Sequence, residues 1–228
     1  MSVRLTTIIY FILYTGLLTA IPLSIIANPQ SLQMQAPLKQ DNAKKQKILL
    51  ILGDSLSAGY GFNSKQSWVT LLERRLEDMQ SEYQVINASI SGDTTGNGLA
   101  RLPHALDTYH PHIVIIALGG NDGLRGLPVD TIRNNLAYMI TLSHRHGARV
   151  LLIGVRLPPN YGPTYTQQFS ALYQQLAKTY QVPLIPKLLK GIAGTKGNGL
   201  MQVDGIHPTE KAQTQLLENI WPKLKEML

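Results

Sequence analysis

The sequence contains no cysteine. This absence excludes disulfide bonds, thiolate metal sites, a cysteine nucleophile and a lipidated N-terminal cysteine. Charged residues are also few, at 15% of the 228 residues, whereas 44% of the residues are apolar. That balance is typical of a globular protein rather than a disordered chain. The length suits one well-buried domain that follows a leader segment.

Acidic residues are the scarcer charged type, with 14 against 21 basic residues and a formal net charge of +7. Such a balance favours anionic substrates or a membrane surface. The basic residues are scattered and form no arginine-rich segment, so we predict no nucleic-acid partner. The acidic residues and histidines do not gather into a ligand set, and we predict neither a metal site nor another cofactor.

The N-terminal segment 1–27 combines one basic residue, Arg4, with a long apolar core. This pattern is typical of a secretory signal peptide or an N-terminal membrane anchor, and its core of about 19 residues nears the length that spans a bilayer. Residues 28–46 lack an apolar period and predict a flexible linker before a folded domain over 47–228. We therefore expect an exported, periplasmic protein, which would stay tethered to the inner membrane if the leader is not cleaved.

Short apolar runs alternate with longer amphipathic stretches after the linker. The runs 48–52, 83–88, 113–118, 149–155 and 182–185 predict buried strands, and stretches such as 67–80 and 129–146 carry apolar residues at helical spacing. Pro103 is expected to interrupt the helix that leads to Tyr109. Because the connections exceed a dozen residues, the pattern predicts an α/β domain with a doubly wound parallel sheet of five strands.

A serine follows the first predicted strand. Gly53 allows a sharp turn there, and Asp54 and Ser55 are residues that suit the opening of a helix. In an open α/β sheet, ligands bind beyond the carboxyl ends of the strands, so Ser55 lies where a nucleophile would be useful. An ordinary turn with a helix cap accounts for the same residues equally well, and Ser55 needs partners elsewhere in the chain.

Four more residues supply those partners. Gly92, at a strand-to-helix junction, lets a backbone N–H approach an anion, and Asn121, in a predicted tight loop, can present its side-chain amide as a donor. Asp204 and His207 are three residues apart, so the carboxylate can hold the imidazole in one tautomer. Each residue alone could simply belong to a turn or a helix entry. Together with Ser55 they supply a nucleophile, a base, an orienting acid and three oxyanion donors.

Several blocks, in this order along the chain, resemble the SGNH (GDSL) hydrolase family: Gly53-Asp54-Ser55-Leu56, Gly92, Gly119-Gly120-Asn121-Asp122 and Asp204-Gly205-Ile206-His207-Pro208. The stretches 51–60, 87–94 and 119–126 are most similar to the branch of periplasmic multifunctional acyl-CoA thioesterases, lysophospholipases and arylesterases. The resemblance implies a flavodoxin-like, three-layer α/β/α fold and a metal-free acyl-enzyme mechanism. It also implies a catalytic triad of Ser55, Asp204 and His207, with Ser55, Gly92 and Asn121 forming the oxyanion hole.

Further residues are candidates for contact with the substrate. The loop 156–162 projects from the same edge of the sheet and resembles the groove loop of that branch. Trp68 lies on the apolar face of a predicted helix, which favours core packing, but it also stands at the active end of the sheet. The segment 188–201, rich in glycine and lysine, carries no motif. The candidate substrate contacts are Asp54, Leu56, Trp68, Leu157 and Pro158.

These features predict a serine esterase or thioesterase. We expect it to hydrolyse aryl esters, acyl-CoA and lysophospholipids through an acyl-enzyme on Ser55 and to act as a monomer on small-molecule substrates. Two alternatives remain open: a carbohydrate O-deacetylase that uses the same site, and a membrane-tethered binding protein that keeps the fold without catalysis.

Overall fold

A computed structural model describes residues 46–194 and 199–228. The predicted leader, 1–27, lies outside the described residues, as does the linker 28–46 except for its last residue. In the described part of the chain, five strands form one sheet in the order β2-β1-β3-β4-β5, and every neighbouring pair is parallel. This order is that of flavodoxin-like sheets. The strands are β1 Lys47–Gly53, β2 Tyr83–Asn87, β3 Ile113–Ala117, β4 Arg149–Ile153 and β5 Leu184–Ile185.

Helices cover both faces of this sheet. Their bounds are α1 Ser55–Ala58, α2 Trp68–Asp78, α3 Thr95–Tyr109, α4 Gly120–Leu124, α5 Val129–Arg145, α6 Pro163–Tyr180 and α7 Gln213–Lys225. Within β1, Leu49 and Ile51 pack against α2 and α7, whereas Leu50 and Leu52 pack against α3, α5 and α6. All four side chains are fully buried, because a parallel sheet covered on both sides leaves neither face to water. The predicted three-layer α/β/α fold is confirmed.

Local details differ from the sequence prediction in three places. Pro103 does not interrupt α3, which runs through it. Its ring lies on the exposed side while the neighbouring Leu102 is fully buried, so packing against the sheet compensates for the lost backbone hydrogen bond. Residues 120–124 form the short helix α4 instead of a loop, entered through Gly119 at a φ of 113°. The last strand covers only Leu184–Ile185.

The segment 188–201, for which the sequence offered no role, contributes to the core. Leu188 and Ile192 are buried against the α2–α7 side of the sheet. In the described ranges, 46–194 and 199–228, no helix is both long and apolar enough to cross a membrane.

The strand register aligns the ends of β1, β2 and β3. Gly53 at the end of β1 pairs with Ala117 at the end of β3, and Ile51 pairs with Asn87 at the end of β2. The segments that follow these three strands therefore leave the sheet at one shared edge, where open α/β sheets bind their ligands.

Candidate active site

Ser55 opens α1 directly after β1. The side chain of Asp54 caps this helix, since its Oδ1 accepts the Leu56 N–H at 3.0 Å. Gly59 ends the helix in the left-handed region at a φ of 78°. The hydroxyl of Ser55 is therefore held between a buried strand and a helix of one turn, at the edge where β1, β2 and β3 end.

An imidazole from the far end of the chain meets this hydroxyl. His207 Nε2 lies 2.9 Å from Ser55 Oγ, although the two residues are 152 positions apart. His207 Nδ1 lies 2.6 Å from Asp204 Oδ2. With Nδ1 donating to the carboxylate, Nε2 is free to accept the serine proton, so the arrangement can generate a nucleophilic oxygen.

Residues 200–209, which we call the His207 hairpin, carry both Asp204 and His207. The hairpin is closed by an antiparallel bridge between Met201 and Pro208 and by a hydrogen bond of 2.8 Å from Thr209 N–H to the Leu200 carbonyl. Sequence spacing placed Asp204 and His207 on one turn, and the structure shows that this turn is the tip of a hairpin rather than part of a helix.

The Asp204 carboxylate shapes this tip as well as orienting the imidazole. Its Oδ1 accepts the backbone N–H groups of Ile206 at 2.9 Å and His207 at 3.0 Å. Burial raises the pKa of Asp204, but these hydrogen bonds and the one from the imidazole outweigh burial and lower the pKa to about 2. The native carboxylate is therefore ionised throughout mildly acid conditions, and its contribution to stability is lost progressively as pH falls from 3.8 through about 2.

Three hydrogen-bond donors stand near Ser55 on the sheet edge. Gly92 adopts a φ of 87°, a conformation that favours glycine, in the loop after β2. In the described part of the chain, neither the Ser55 N–H nor the Gly92 N–H has a protein acceptor. Asn121 Nδ2 donates one of its two hydrogens to the Asp93 carbonyl at 2.9 Å, which leaves the second available. Such donors can stabilise a negatively charged oxygen.

Two networks of hydrogen bonds and ion pairs hold these donors. The sequence did not predict either of them. Asp93 is nearly buried and pairs with Arg101, whose Nε lies 3.1 Å from Asp93 Oδ2. Asp122 is fully buried and accepts the backbone N–H of Thr95 at 2.8 Å and its hydroxyl at 2.5 Å. The two networks anchor the loop of Gly92 and the helix α4, which carries Asn121, to α3. No spacing along the sequence indicates Arg101 or Thr95, because each partner is reached through the fold.

The predicted substrate contacts divide into two groups. Leu56 and Leu157 are partly exposed and Pro158 is exposed, so all three are accessible to a substrate. Asp54 is only 2% exposed and Trp68 is fully buried, which argues against direct contact of either side chain with a substrate. Trp68 Nε1 instead donates to the Leu56 carbonyl at 3.1 Å and supports the helix that carries Ser55.

The Asp54 carboxyl is an unusual group to bury. Burial raises its pKa to about 6, although the hydrogen bond from the Leu56 N–H and the nearby His207 act in the opposite direction. Because the folded-state pKa lies above the unfolded one, burial of the Asp54 carboxyl lowers stability progressively as pH rises from 3.8 to about 6. No group of three or more potential metal ligands occurs within the described residues.

Several known proteins are similar to this chain in sequence and in fold. The profile of the GDSL-like Lipase/Acylhydrolase family matches residues 51–214. Esterase TesA of Pseudomonas aeruginosa is 51% identical over 180 residues, covering 79% of this chain and 89% of that protein. Thioesterase 1/protease 1/lysophospholipase L1 of Escherichia coli (strain K12) is 46% identical over 165 residues, 72% of this chain and 77% of that protein. The crystal structure of TesA matches 80% of this chain and 100% of its own, with a TM-score of 0.77 and 50% identity.

These matches confirm the resemblance that the sequence blocks indicated. The matched region begins inside β1, includes β2 to β5 and ends inside α7, and it contains every residue of the site described here. The chain belongs to the GDSL-like lipase/acylhydrolase family.

Proposed function

We propose that the protein is a serine hydrolase that cleaves carboxylic ester and thioester bonds through an acyl-enzyme on Ser55. One observation carries this proposal: the hydrogen-bonded series from Ser55 Oγ to His207 Nε2 and from His207 Nδ1 to Asp204 Oδ2, with distances of 2.9 Å and 2.6 Å. A serine hydroxyl becomes a good nucleophile only when a base takes its proton, and this series supplies the base and the group that orients it.

In the acylation step, Ser55 Oγ attacks the carbonyl carbon of the substrate while its proton passes to His207 Nε2. The carbonyl oxygen becomes an oxyanion, which we assign to the N–H groups of Ser55 and Gly92 and to the Asn121 side chain. When the tetrahedral intermediate collapses, the bond to the alcohol or thiol breaks and His207 returns the proton to that leaving group. Asp204 stabilises the imidazolium between these two transfers.

In the deacylation step, a water molecule takes the place of the leaving group. His207 accepts a proton from the water, the resulting hydroxide attacks the acyl carbon, and the same donors hold the second oxyanion. Collapse releases the carboxylic acid and restores the proton to Ser55. The cycle needs no metal or organic cofactor, because base, orienting acid and oxyanion donors are all side chains or backbone groups of this chain.

The names of the relatives support acyl esters and thioesters of small molecules as the substrate class. One is an esterase, one an arylesterase from Vibrio mimicus, and one a thioesterase and lysophospholipase. We propose that Leu56, Leu157 and Pro158 line the groove for the acyl chain, because all three are at least partly exposed on segments that follow β1 and β4. Asp54 and Trp68 would not contact the acyl chain but would hold α1 in place through their hydrogen bonds to Leu56.

We further propose that the protein is exported, with segment 1–27 as its signal or anchor. Support comes from the order of one basic residue, an apolar core and a polar linker at the N-terminus. Fractionation of cells that express the full chain tests this point. The expected result is activity in the periplasm or on its membrane; activity in the cytoplasm alone would contradict it.

Replacing the proposed nucleophile is the decisive test of function. Ser55→Ala should abolish turnover of p-nitrophenyl esters and labelling by a fluorophosphonate, because no hydroxyl remains to form the acyl-enzyme. Ser57→Ala is the matched control in the same helix, since the Ser57 hydroxyl is buried and has no hydrogen-bond partner in the described part of the chain. A Ser55→Ala protein with wild-type rates would overturn the proposal.

A panel of substrates separates the proposed activity from its alternatives. Graded p-nitrophenyl esters and acyl-CoA thioesters should be turned over by the full chain. Turnover restricted to acetylated sugars would instead identify a carbohydrate O-deacetylase, and absence of both turnover and fluorophosphonate labelling would identify a binding protein.

A further inference from the structure

The side chain of Gln202 joins the two parts of the site. Gln202 Nε2 donates to the Tyr60 carbonyl at 2.9 Å and to the Pro208 carbonyl at 3.0 Å. Tyr60 directly follows the helix of Ser55, and Pro208 directly follows His207. One amide group therefore bridges the segment of the nucleophile and the segment of the base, across 142 positions in the chain.

Both hydrogens of this amide are used, and the chemistry of the partners fixes its orientation. Carbonyl oxygens can only accept, so Nε2 and not Oε1 must face them. The backbone N–H of Gln202 also donates to the His207 carbonyl at 2.8 Å, and the Gly205 N–H donates to the Gln202 carbonyl at 3.0 Å. Gln202 thus holds the His207 hairpin from its side chain and from its backbone.

The segment on the nucleophile side is tied to Ser55 itself. The Tyr60 N–H donates to the Ser55 carbonyl at 3.3 Å, so a displacement of Tyr60 is transmitted to the residue that carries the hydroxyl. The Tyr60 ring lies against the His207 ring with centroids 4.5 Å apart. Gly61 leaves the space that Gln202 needs, because a Cβ there would lie 2.5 Å from Gln202 Oε1.

We propose that Gln202 is a positioning residue that sets the distance between Ser55 Oγ and His207 Nε2. This role depends on the proposed functions of Ser55 and His207 as nucleophile and base. Leu200 and Met201, at the base of the hairpin, pack against the core, but its tip at Val203 is exposed. The two hydrogen bonds of the Gln202 amide therefore act where packing ends. Proton transfer is sensitive to such constraints, since a displacement of about 1 Å can cost about 100-fold in rate.

The first test removes the two donors while keeping the length of the side chain. Gln202→Met should lower kcat for p-nitrophenyl acetate by about 10- to 100-fold at nearly constant KM, since the base moves but the acyl groove does not. The rate of Ser55 modification by a fluorophosphonate should fall in parallel. Gln215→Met is the matched control, because Gln215 lies exposed on α7 and, among the residues that the structure describes, donates only to Asn219 in its own helix.

A second pair of variants tests the same contact without altering Gln202. Gly61→Ala should push the amide away from its two carbonyls and lower kcat. Gly147→Ala carries a comparable backbone cost, with a φ of 78° against 83° for Gly61, but its methyl group meets no atom within 4 Å. Gly147→Ala should therefore retain the wild-type kcat even if both glycine variants melt at a lower temperature.

The outcomes separate this inference from the proposed function. If Gln202→Met and Gly61→Ala lose thermal stability but keep kcat and the fluorophosphonate rate per folded molecule, Gln202 is merely structural and the positioning role is wrong. In that case an inactive Ser55→Ala variant would still leave the hydrolase assignment intact. If Ser55→Ala keeps its activity, the proposed function fails and the positioning role fails with it.

Discussion

Ser55 and His207 share one hydrogen bond but are supported in different ways. Ser55 follows β1, where residues Leu49 to Leu52 are fully buried between two layers of helices. His207 lies in the His207 hairpin, outside the sheet, with Val203 fully exposed at the tip. On the sheet side, the packed core is reinforced by the hydrogen bonds and ion pair of Asp122 and Asp93. On the hairpin side, Leu200 and Met201 pack against the core, and directional hydrogen bonds hold the exposed tip.

This difference affects how accurately the side chains of Ser55 and His207 are held in position. A packed core resists displacement because each shift loses many contacts at once. The exposed tip of a hairpin belongs to the part of a protein that opens at low cost in free energy. His207, the proposed base, lies next to such a tip, and we propose that its placement depends on Asp204 and Gln202. Substitutions on the two sides should consequently differ in what they change.

The largest effect is expected on the hairpin side, from Asp204→Asn. Asparagine can still accept the Ile206 and His207 backbone N–H groups, which keeps its oxygen on that side and turns its NH₂ group toward the imidazole. In that contact His207 Nδ1 must accept a hydrogen bond, so the ring proton moves to Nε2, which can then no longer accept the proton of Ser55. The value of kcat should therefore fall by about 10⁴-fold, while the melting temperature changes little. Steady-state kinetics and thermal denaturation measure the two quantities.

Asp204→Ala is the companion variant, because it removes the acceptors of the hairpin tip as well. It should be less stable than Asp204→Asn and equally inactive. Asp204→Asn with near wild-type kcat would contradict the orienting role, and equal stability of the two variants would contradict the role of Asp204 in shaping the hairpin.

A smaller effect is expected on the sheet side, from Asn121→Ala. Loss of one oxyanion donor should lower kcat by about 10²- to 10³-fold with little change in KM. The variant also loses the hydrogen bond to the Asp93 carbonyl, which should cost about 1 kcal/mol of stability. Asn97→Ala, at an exposed position of α3, serves as the control. An effect confined to KM would show that Asn121 binds substrate rather than the oxyanion.

The smallest effect on rate is expected from Asp54→Asn. This variant tests how much the burial of the Asp54 carboxyl lowers the free energy of unfolding. Asparagine can still cap α1, so kcat should change by less than about tenfold. Because the native pKa of Asp54 is raised to about 6, the wild-type protein should lose stability relative to this variant as pH rises from about 4 to 7. The difference should reach about 3 kcal/mol, as measured by urea denaturation.

The control for this pH effect is Asn97→Ala, at an exposed position of α3. Because neither asparagine nor alanine titrates, the stability of this variant should run parallel to that of the wild type across the same pH range. If the dependence of stability on pH is also the same for Asp54→Asn and the wild type, the pKa of the Asp54 carboxyl is not raised. Burial of that carboxyl then has no electrostatic cost.

The sequence by itself determined the sheet and the residues at its edge. Unbroken apolar runs such as Ile48 to Leu52 indicate strands covered on both faces, and parallel strands bring their carboxyl ends to one edge. The positions of Ser55, Gly92 and Asn121 follow from that rule, because each lies in the segment that leaves the end of a strand. Local patterns also located Asp204 and His207 relative to each other, three residues apart.

Only the tertiary structure decided what lies across the chain. The bridge from Gln202 to Tyr60 and the pairing of Arg101 with Asp93 depend on how separate segments pack, and no periodicity records them. The contact of His207 with Ser55 is expected only from the family resemblance of the sequence blocks, and the fold supplies its geometry. Trp68 shows the same limit, since its apolar surroundings fit both a groove and a core until the fold buries it. Periodicity reports which face of an element is apolar, whereas a directional hydrogen bond between distant segments exists only once the core has fixed both ends.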